Sequence, residues 1–512
     1  MLIRRFASSI PANDSRQLKE NFGEYAYNTR LWDGSLRAFK EVLSDDGCKP
    51  IPCSTDAYLC DVEPVRVVDG ELIRPNGEKC FLDRPNKPII TVGAGGSDPV
   101  VFMITAVNTY GDESARSEPS QIYRVEANTP IKITSSGLFR VYGRVFTSID
   151  GSITKDEFQN PDANLMYFGE YEDVAEFDFD ISVAPIYNSN NMCRPKCIKC
   201  ITHNEDGYYA IWTDTEVFIS ERHEPAMYPI RYKQSIGYQI EEVHPFYEAF
   251  FVHTKGKPQI IKYQTITNGS DAGMIDIQAI PYSDILPIQG MGVRTSFGSM
   301  YPSRLGLVAL TPSAISGMQI VTNDIISEDK FGKYIPTVSC WYNGVFYGWN
   351  DKVGFAFDMK ENQFGQFELQ NWINIRPNAK SAWVDVDGWM YVEYDEWTDE
   401  EGNKHNAGTF KWDGGNKWMP AVWKSKWFTE PAHKVYSRAK VAGGYVVGTI
   451  FEFHGRKNGL IYRKEITDER PFPIKMKRDI EFQIVLKLPK SDIELQITEV
   501  HVTSNLIEMA GA

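Results

Sequence analysis

The chain has 512 residues, 42% hydrophobic, 13% aromatic and 24% charged, an ordinary globular composition with room for about two to four domains. Its formal net charge of −14 disfavours a protein that grips a phosphate backbone, because such proteins carry overall or striped positive charge. An acidic surface that faces nucleic acid without holding it stays compatible with this balance.

No run approaches the roughly 20 apolar residues that span a bilayer as a helix. The opening stretch Met1–Ile10 carries two arginines but no continuous apolar core of a signal peptide. The expectation is folding in a cytoplasm, with the eight cysteines as free thiols.

Residues 1–85 read as a loop-rich attachment segment. Asp14 or Ser15 as a cap and Gly23 as a terminator predict a short helix. Asp33-Gly34 predicts a hairpin turn. Cys48, Cys53, Cys60 and Cys80 are unevenly spaced and contain no Cys-x-x-Cys pair; small buried hydrophobes are preferred here over zinc ligands.

Residues 86–190 read as a fibronectin- or immunoglobulin-like β-sandwich region. Val100–Val107 is a strand, Asn108–Ser114 a turn, and Gln121–Val125 the next strand, the layout of a fibronectin type III hairpin. Val92–Ser97 is glycine-rich, but no Gly-Lys-Ser/Thr follows and the next element is a strand, so a turn is expected and not a phosphate loop. Glu170–Asp180 is strongly acidic yet lacks a calcium-loop pattern, which predicts a solvated edge. Cys193, Cys197 and Cys200 form the tightest thiol cluster, with His203 as a fourth metal ligand in one reading. In the other, Cys197 and Cys200 alternate along a strand.

Residues 191–415 repeat one pattern. Asp206-Gly207, Asn343-Gly344 and Asp387-Gly388 each precede an aromatic strand, a polar break and a second aromatic strand. Gly344 and Gly388 lie 44 residues apart, within the roughly 40–50 that a four-stranded propeller blade consumes. Weaker copies at Phe246–Tyr263 and Leu305–Val321 bring the total to about five blades, enough for a small propeller. Residues 416–512 read as a closing β-sandwich, with strands at Ala439–Val441, Tyr445–Val447, Gly459–Tyr462, Phe482–Leu486 and Leu495–Ile497. The fold class is mostly β: a central β-propeller-like domain with flanking β-sandwich-like domains.

The eight histidines form no His-Glu-x-x-His, and no Gly-x-Ser-x-Gly elbow accompanies them. No catalytic, cofactor-binding or metal residue is assigned, and the chain is not expected to be an enzyme. The repeated Trp and Tyr residues suit sugar stacking, but packing is the simpler reading because they recur at equivalent strand positions. Asn268-Gly269-Ser270 is read as a turn.

Separated stretches together resemble one family. Leu18 to Arg37, with Asn21-Phe22-Gly23-Glu24-Tyr25-Ala26 and Leu31-Trp32-Asp33-Gly34-Ser35-Leu36-Arg37, resembles the start of tail nozzle proteins of short-tailed bacteriophages, also called tail tubular protein B. Val107–Ser120 is similar to the sandwich insertion of such proteins, and Val217–Pro229 to their blade segment of strand, Ser, Pro and aromatic-Pro. Trp423–Phe428 and Val500–Met509 resemble closing segments of related phage structural proteins. The resemblance implies a homo-oligomeric ring, a hexamer, that sits in the virion tail below the portal and adaptor and beside tail fibre or tip proteins. Genomic DNA would pass through its lumen without specific binding, and assembly would take place in the host cytoplasm. An acidic lumen would let the duplex slide. The alternative from another class is a propeller lectin or glycan-processing tail protein acting on the host surface.

Overall fold

The Asn343-Gly344 turn shows how the repeats are built. Both residues take positive φ, 49° and 78°, and Tyr342 pairs directly with Val345 across them, the geometry of a two-residue hairpin turn. The other two copies use a longer turn: the Gly207 N–H bonds the Asn204 carbonyl and the Gly388 N–H bonds the Asp385 carbonyl. At the second break, Asn350 Oδ1 accepts from the N–H groups of Lys352 and Val353, so a side chain completes the turn.

A computed structural model describes residues 1–8, 16, 18–45, 65–93, 96–145, 165–180, 185–186, 192–246, 249–265, 275–281, 285–288, 292–311, 318–322, 326, 328–361, 367–385, 387–398, 402, 404–475 and 477–505. Asp14, Ser15, Cys48, Cys53, Cys60, the Ala94-Gly95 pair, Asn268–Ser270 and Leu506–Met509 lie outside the described residues. The chain is mostly β. The described helical segments are one turn at Glu328–Phe331 and a 3-10 turn at Ile230–Tyr232. No described helix is long and apolar enough to cross a membrane.

The chain divides into two compact units. One comprises Met1–Pro50, His253–Pro258 and Pro281–Ala512; the other comprises Ile51–Val252 and Gln259–Ile280.

In the second unit, the long strand Pro130–Val145 organises a six-stranded sheet. It pairs Ile89–Val92 along its first half, Asp98–Ala106 along its second, and Leu165–Asp178 on its other side. Val100, Phe102, Ile104, Ile131, Ile133 and Val141 form its core. The fibronectin-like hairpin is present, with Asp98–Val100 antiparallel to Tyr123–Val125. Between these strands, Ser114, Ser117 and Ser120 repeat one device. Each donates its N–H to Ala106, Ile104 and Phe102 respectively, and each hydroxyl accepts the N–H of that same residue. Three residues thus run against two at each step, a serial bulge. The hydroxyl stands in for the ladder carbonyl that the mismatch removes.

The repeat region forms five four-stranded meanders in chain order. The first contains Cys200–His203, Tyr209–Trp212, Glu216–Ile219 and Gln234–Ser235; the second contains Ile240–Phe246, Ala249–Thr254, Gln259–Thr265 and Ile275–Pro281. In the first unit follow Val293–Thr295 to Met318–Ile320 and then Val338–Tyr342 to Phe367–Ile375. The fifth takes Ala379–Val384, Met390–Tyr394 and Gly408–Lys411 from the repeat, and its last strand from the start of the chain, Leu43–Ser44.

The fourth meander continues into a larger sheet. Its last strand pairs in parallel with Phe22–Tyr27, which pairs with Ala421–Ser425, and the sheet runs on through Arg478–Leu488, Ile450–Gly455 and Gly459–Glu465. A second sheet joins Leu2–Ile3, Glu499–Thr503, Arg438–Ala442 and Phe472–Pro473.

Three expectations are corrected. Phe22–Tyr27 is a strand, so no helix runs to Gly23. Tyr445–Val447 and Leu495–Ile497 are not strands; Tyr445 and Gln496 form an isolated bridge, as do Ile497 and Leu36. Cys197 takes a left-handed φ of 59° and stands before the strand that starts at Cys200, so the two thiols do not alternate along it.

The serine device gives a direct test. Ser117→Ala leaves the buried Ile104 N–H without its acceptor and is expected to cost about 1–3 kcal/mol. Gly344→Ala meets no neighbour within 4 Å and is expected to cost only its backbone strain, about 1 kcal/mol. Denaturant titration of both variants measures the difference.

Candidate functional site

Two places gather polar chemistry, one in each unit. In the second unit, the guanidinium of Arg74 and the carboxylate of Asp112 form a two-pronged pair at 2.8 and 2.5 Å, both side chains 5% exposed. Arg74 is held where Glu71–Ile73 ends, its N–H bonded to the Glu78 carbonyl. Asp112 sits in the fibronectin-like turn, where Asn108 donates its side-chain amide to the carboxylate at 2.8 Å and accepts the Asp112 N–H. Burial alone lowers the pKa of Arg74, and the hydrogen bonds and charge of Asp112 more than reverse this. The Glu224 carboxyl is pushed up by partial desolvation and then by the like charge of Asp112. Burial pushes the neighbouring Cys80 thiol up to about 12, so it stays a protonated, inert thiol. Next in the same turn, Glu113 accepts from Tyr142 Oη at 2.7 Å and from Arg140. Arg74, Asp112, Asn108, Glu113, Tyr142 and Arg140 are bonded to one another in this way, a joint that ties the turn to its neighbours.

In the first unit, the acidic break after Tyr394 is a short ribbon in which Trp397 pairs with His405. The two rings stack with centroids 3.9 Å apart. The Arg376 guanidinium lies 3.0 Å from the Trp397 centroid. Two groups this close occupy opposite faces of the indole. Tyr27, Glu41, Trp412 and Lys490 complete a cavity of about 360 Å³, and Glu41 pairs with Lys490. Both faces of Trp397 are therefore covered, which leaves it no face for a sugar ring.

The other repeated aromatics are interior. Tyr209, Trp212, Tyr347, Trp349, Tyr391 and Trp412 are all buried, as the packing reading expects. The exception is Trp389, 37% exposed, with the Lys411 ammonium over its ring.

The thiol cluster is not brought together with His203. Cys200 and His203 lie three apart on one strand, which places them on opposite faces. Cys193 and Cys197 line an open cavity with Glu216 and Lys233; burial raises the pKa of the Cys193 thiol. Among the described residues, no group of three or more His, Cys, Asp and Glu side chains is arranged to hold a metal ion.

No protein-family model matches the chain, and no curated protein matches it in sequence. Among solved structures, human WBSCR16 is 11% identical, over 55% of this chain and 96% of that one, with a TM-score of 0.24. AztD from Citrobacter koseri, in its apo form, is 10% identical over 61% and 97%, with a TM-score of 0.24. A glycoside hydrolase is 12% identical over 81% and 96%, with a TM-score of 0.16. Likenesses this weak carry no argument about function, and the fold rests on the strand pairing itself.

Sequence reasoning missed Arg74, Asn108, Arg376 and Trp397. The only signal for Arg74 is a lone arginine before a Pro-Asn-Gly turn, and its partner lies 38 residues on.

Arg74→Met strands the buried Asp112 carboxylate and is expected to cost about 3–5 kcal/mol. The double variant Arg74→Met, Asp112→Leu is expected to recover most of that loss. A double-mutant cycle read by thermal denaturation checks both.

Proposed function

We propose that this chain is a structural subunit of the tail of a short-tailed bacteriophage, one copy of a ring-shaped nozzle through which genomic DNA leaves the virion. The reading comes from the family resemblance. One observation carries it further: the opening and closing stretches that bear the resemblance pair as neighbouring strands. Gly23, Tyr25 and Ala26 of the opening stretch pair with Ser425, Lys424 and Trp423 of the closing one. Residues far apart in sequence that share a resemblance and also share a joint are what one inherited scaffold would keep together.

The chemistry is compatible with such a channel. A chain of net charge −14 offers carboxylate-rich segments to line a lumen, where they repel phosphates and let the duplex slide. The well-packed joints and interior aromatics suit a load-bearing part. In this reading the partners are other copies of the chain in a six-fold ring, the portal and adaptor, and tail fibre or tip proteins. The protein acts in the virion tail after assembly in the host cytoplasm, and does no chemistry on substrates.

Electron microscopy of the purified protein tests this. Six-fold rings or short tubes with an acidic lumen are the expected result. Monomers that bind or cleave host polysaccharide would overturn it in favour of a glycan-directed tail protein, and rings with a basic lumen would remove the sliding mechanism.

A further inference from the structure

A third polar place lies apart from both sites, in the first unit. Asp358 belongs to the strand Gly354–Glu361 and faces Asn371 of Phe367–Ile375; the register slips immediately afterwards, so that Met359 faces Leu369. A bulge of this kind bends its strand and re-aims neighbouring side chains. Asp358 and Asn371 line a cavity of about 430 Å³, walled on its other sides by Phe6, Phe22, Leu31 and Trp32.

The polar groups here do not balance. Asn371 is 6% exposed and donates its side-chain N–H to Asp358 Oδ1 at 2.9 Å. Its own Oδ1 is buried without a donor, an arrangement that is costly when left unmet. Burial holds the Asp358 carboxyl up to about 6, against the Asn371 hydrogen bonds that lower it. Two acceptors therefore stand side by side, and among the described residues no cation is paired with either.

The cavity's other charged groups do not supply one. Asp33 is already engaged: Ser35 donates to it through N–H and Oγ, and Arg37 pairs with it at 2.7 Å. Arg5 lies across Gly34, its Cγ 3.4 Å from where a Cβ would stand. Among the described residues, neither Arg5 nor Lys360 forms an ion pair with Asp358.

We propose that this cavity binds a small organic cation that donates hydrogen bonds, an alkylammonium or guanidinium group seated against Asp358 and Asn371. The walls suit its stem: Phe6, Leu31 and Met359 are apolar, and Trp32 offers an indole to a cation. A divalent metal is a poor fit, because calcium and magnesium require about six oxygen ligands or more, and Asp33 is committed elsewhere. The cation has two sources, a free amine or the Arg or Lys side chain of a second copy.

Calorimetric titration of the intact protein with methylguanidinium tests the proposal. Saturable binding is expected near pH 8. It weakens about tenfold near pH 5, because a carboxyl that titrates near 6 is then mostly protonated. Asp358→Asn, with its circular dichroism unchanged, abolishes binding, whereas Asp33→Asn retains it. Tetramethylammonium, which has no N–H, does not bind. If Asp358→Asn fails to fold, the pH dependence and the tetramethylammonium control on the unaltered protein decide the matter. Absence of saturable binding near pH 8, equal affinity in Asp358→Asn, or equal binding of tetramethylammonium overturns the proposal. Sedimentation with and without methylguanidinium separates the sources: dissociation of an oligomer identifies a second copy's side chain, and an unchanged state identifies a free amine.

Discussion

The first unit depends on one strand of six residues. Phe22–Tyr27 lies between the last strand of the fourth meander and Ala421–Ser425. The fit leaves no slack: a Cβ on Gly23 would stand 2.6 Å from the Lys424 carbonyl and from the Trp423 ring. Trp423 in turn donates its indole N–H to the Ala7 carbonyl, 416 residues away, and Asn374 donates to the Ala26 carbonyl. Around this seam one continuous core runs from Ile3 through Trp349 and Trp423 to Val502. Residues as far apart in sequence as Ile3 and Val502 are therefore parts of one core. The Leu43–Ser44 strand repeats the logic by completing the fifth meander from the N-terminal side.

A second constraint concerns how strands end. Ser220 accepts the Tyr209 N–H and donates its hydroxyl to the Glu221 carbonyl. Ser425 does the same with Ile484 and Lys426, and Thr322 accepts the Leu307 N–H. With Ser114, Ser117 and Ser120 these form one recurring solution, in which a hydroxyl caps a ladder where the backbone turns away. These serines thus have a structural reason. That reason is compatible with a scaffold and silent about any substrate.

Much of the fold was legible in the sequence because its signals are local. An Asn-Gly between aromatic strands specifies a tight hairpin through the φ values it alone tolerates well, and Asn343-Gly344 adopts them. The weaker hairpins at Phe250 and Leu307 followed from alternation. What stayed hidden was non-local. Nothing in Leu43-Ser44 marks it as the partner of Phe410 and Lys411, since a two-residue strand has no periodicity. The acidic stretch after Tyr394 looked like a break because its carboxylates mask a two-residue pairing, Trp397 with His405 and Thr398 with Lys404. The expected helix does not run to Gly23, because Phe22–Tyr27 is drawn into strand pairing instead. Of the polar sites, none was readable: Arg74 with Asp112, and Asp358 with Asn371, become pairs only when strands set them side by side.

Hydrogen exchange of the intact protein tests most directly whether the N-terminal strand is the seam of the first unit. Peptides covering residues 22–27, 367–375 and 421–425 are expected to exchange together, at the rate of the most protected core. Exchange of 22–27 that is orders of magnitude faster than that of 421–425 would mean that the strand is an appendage and that the two sheets stand without it.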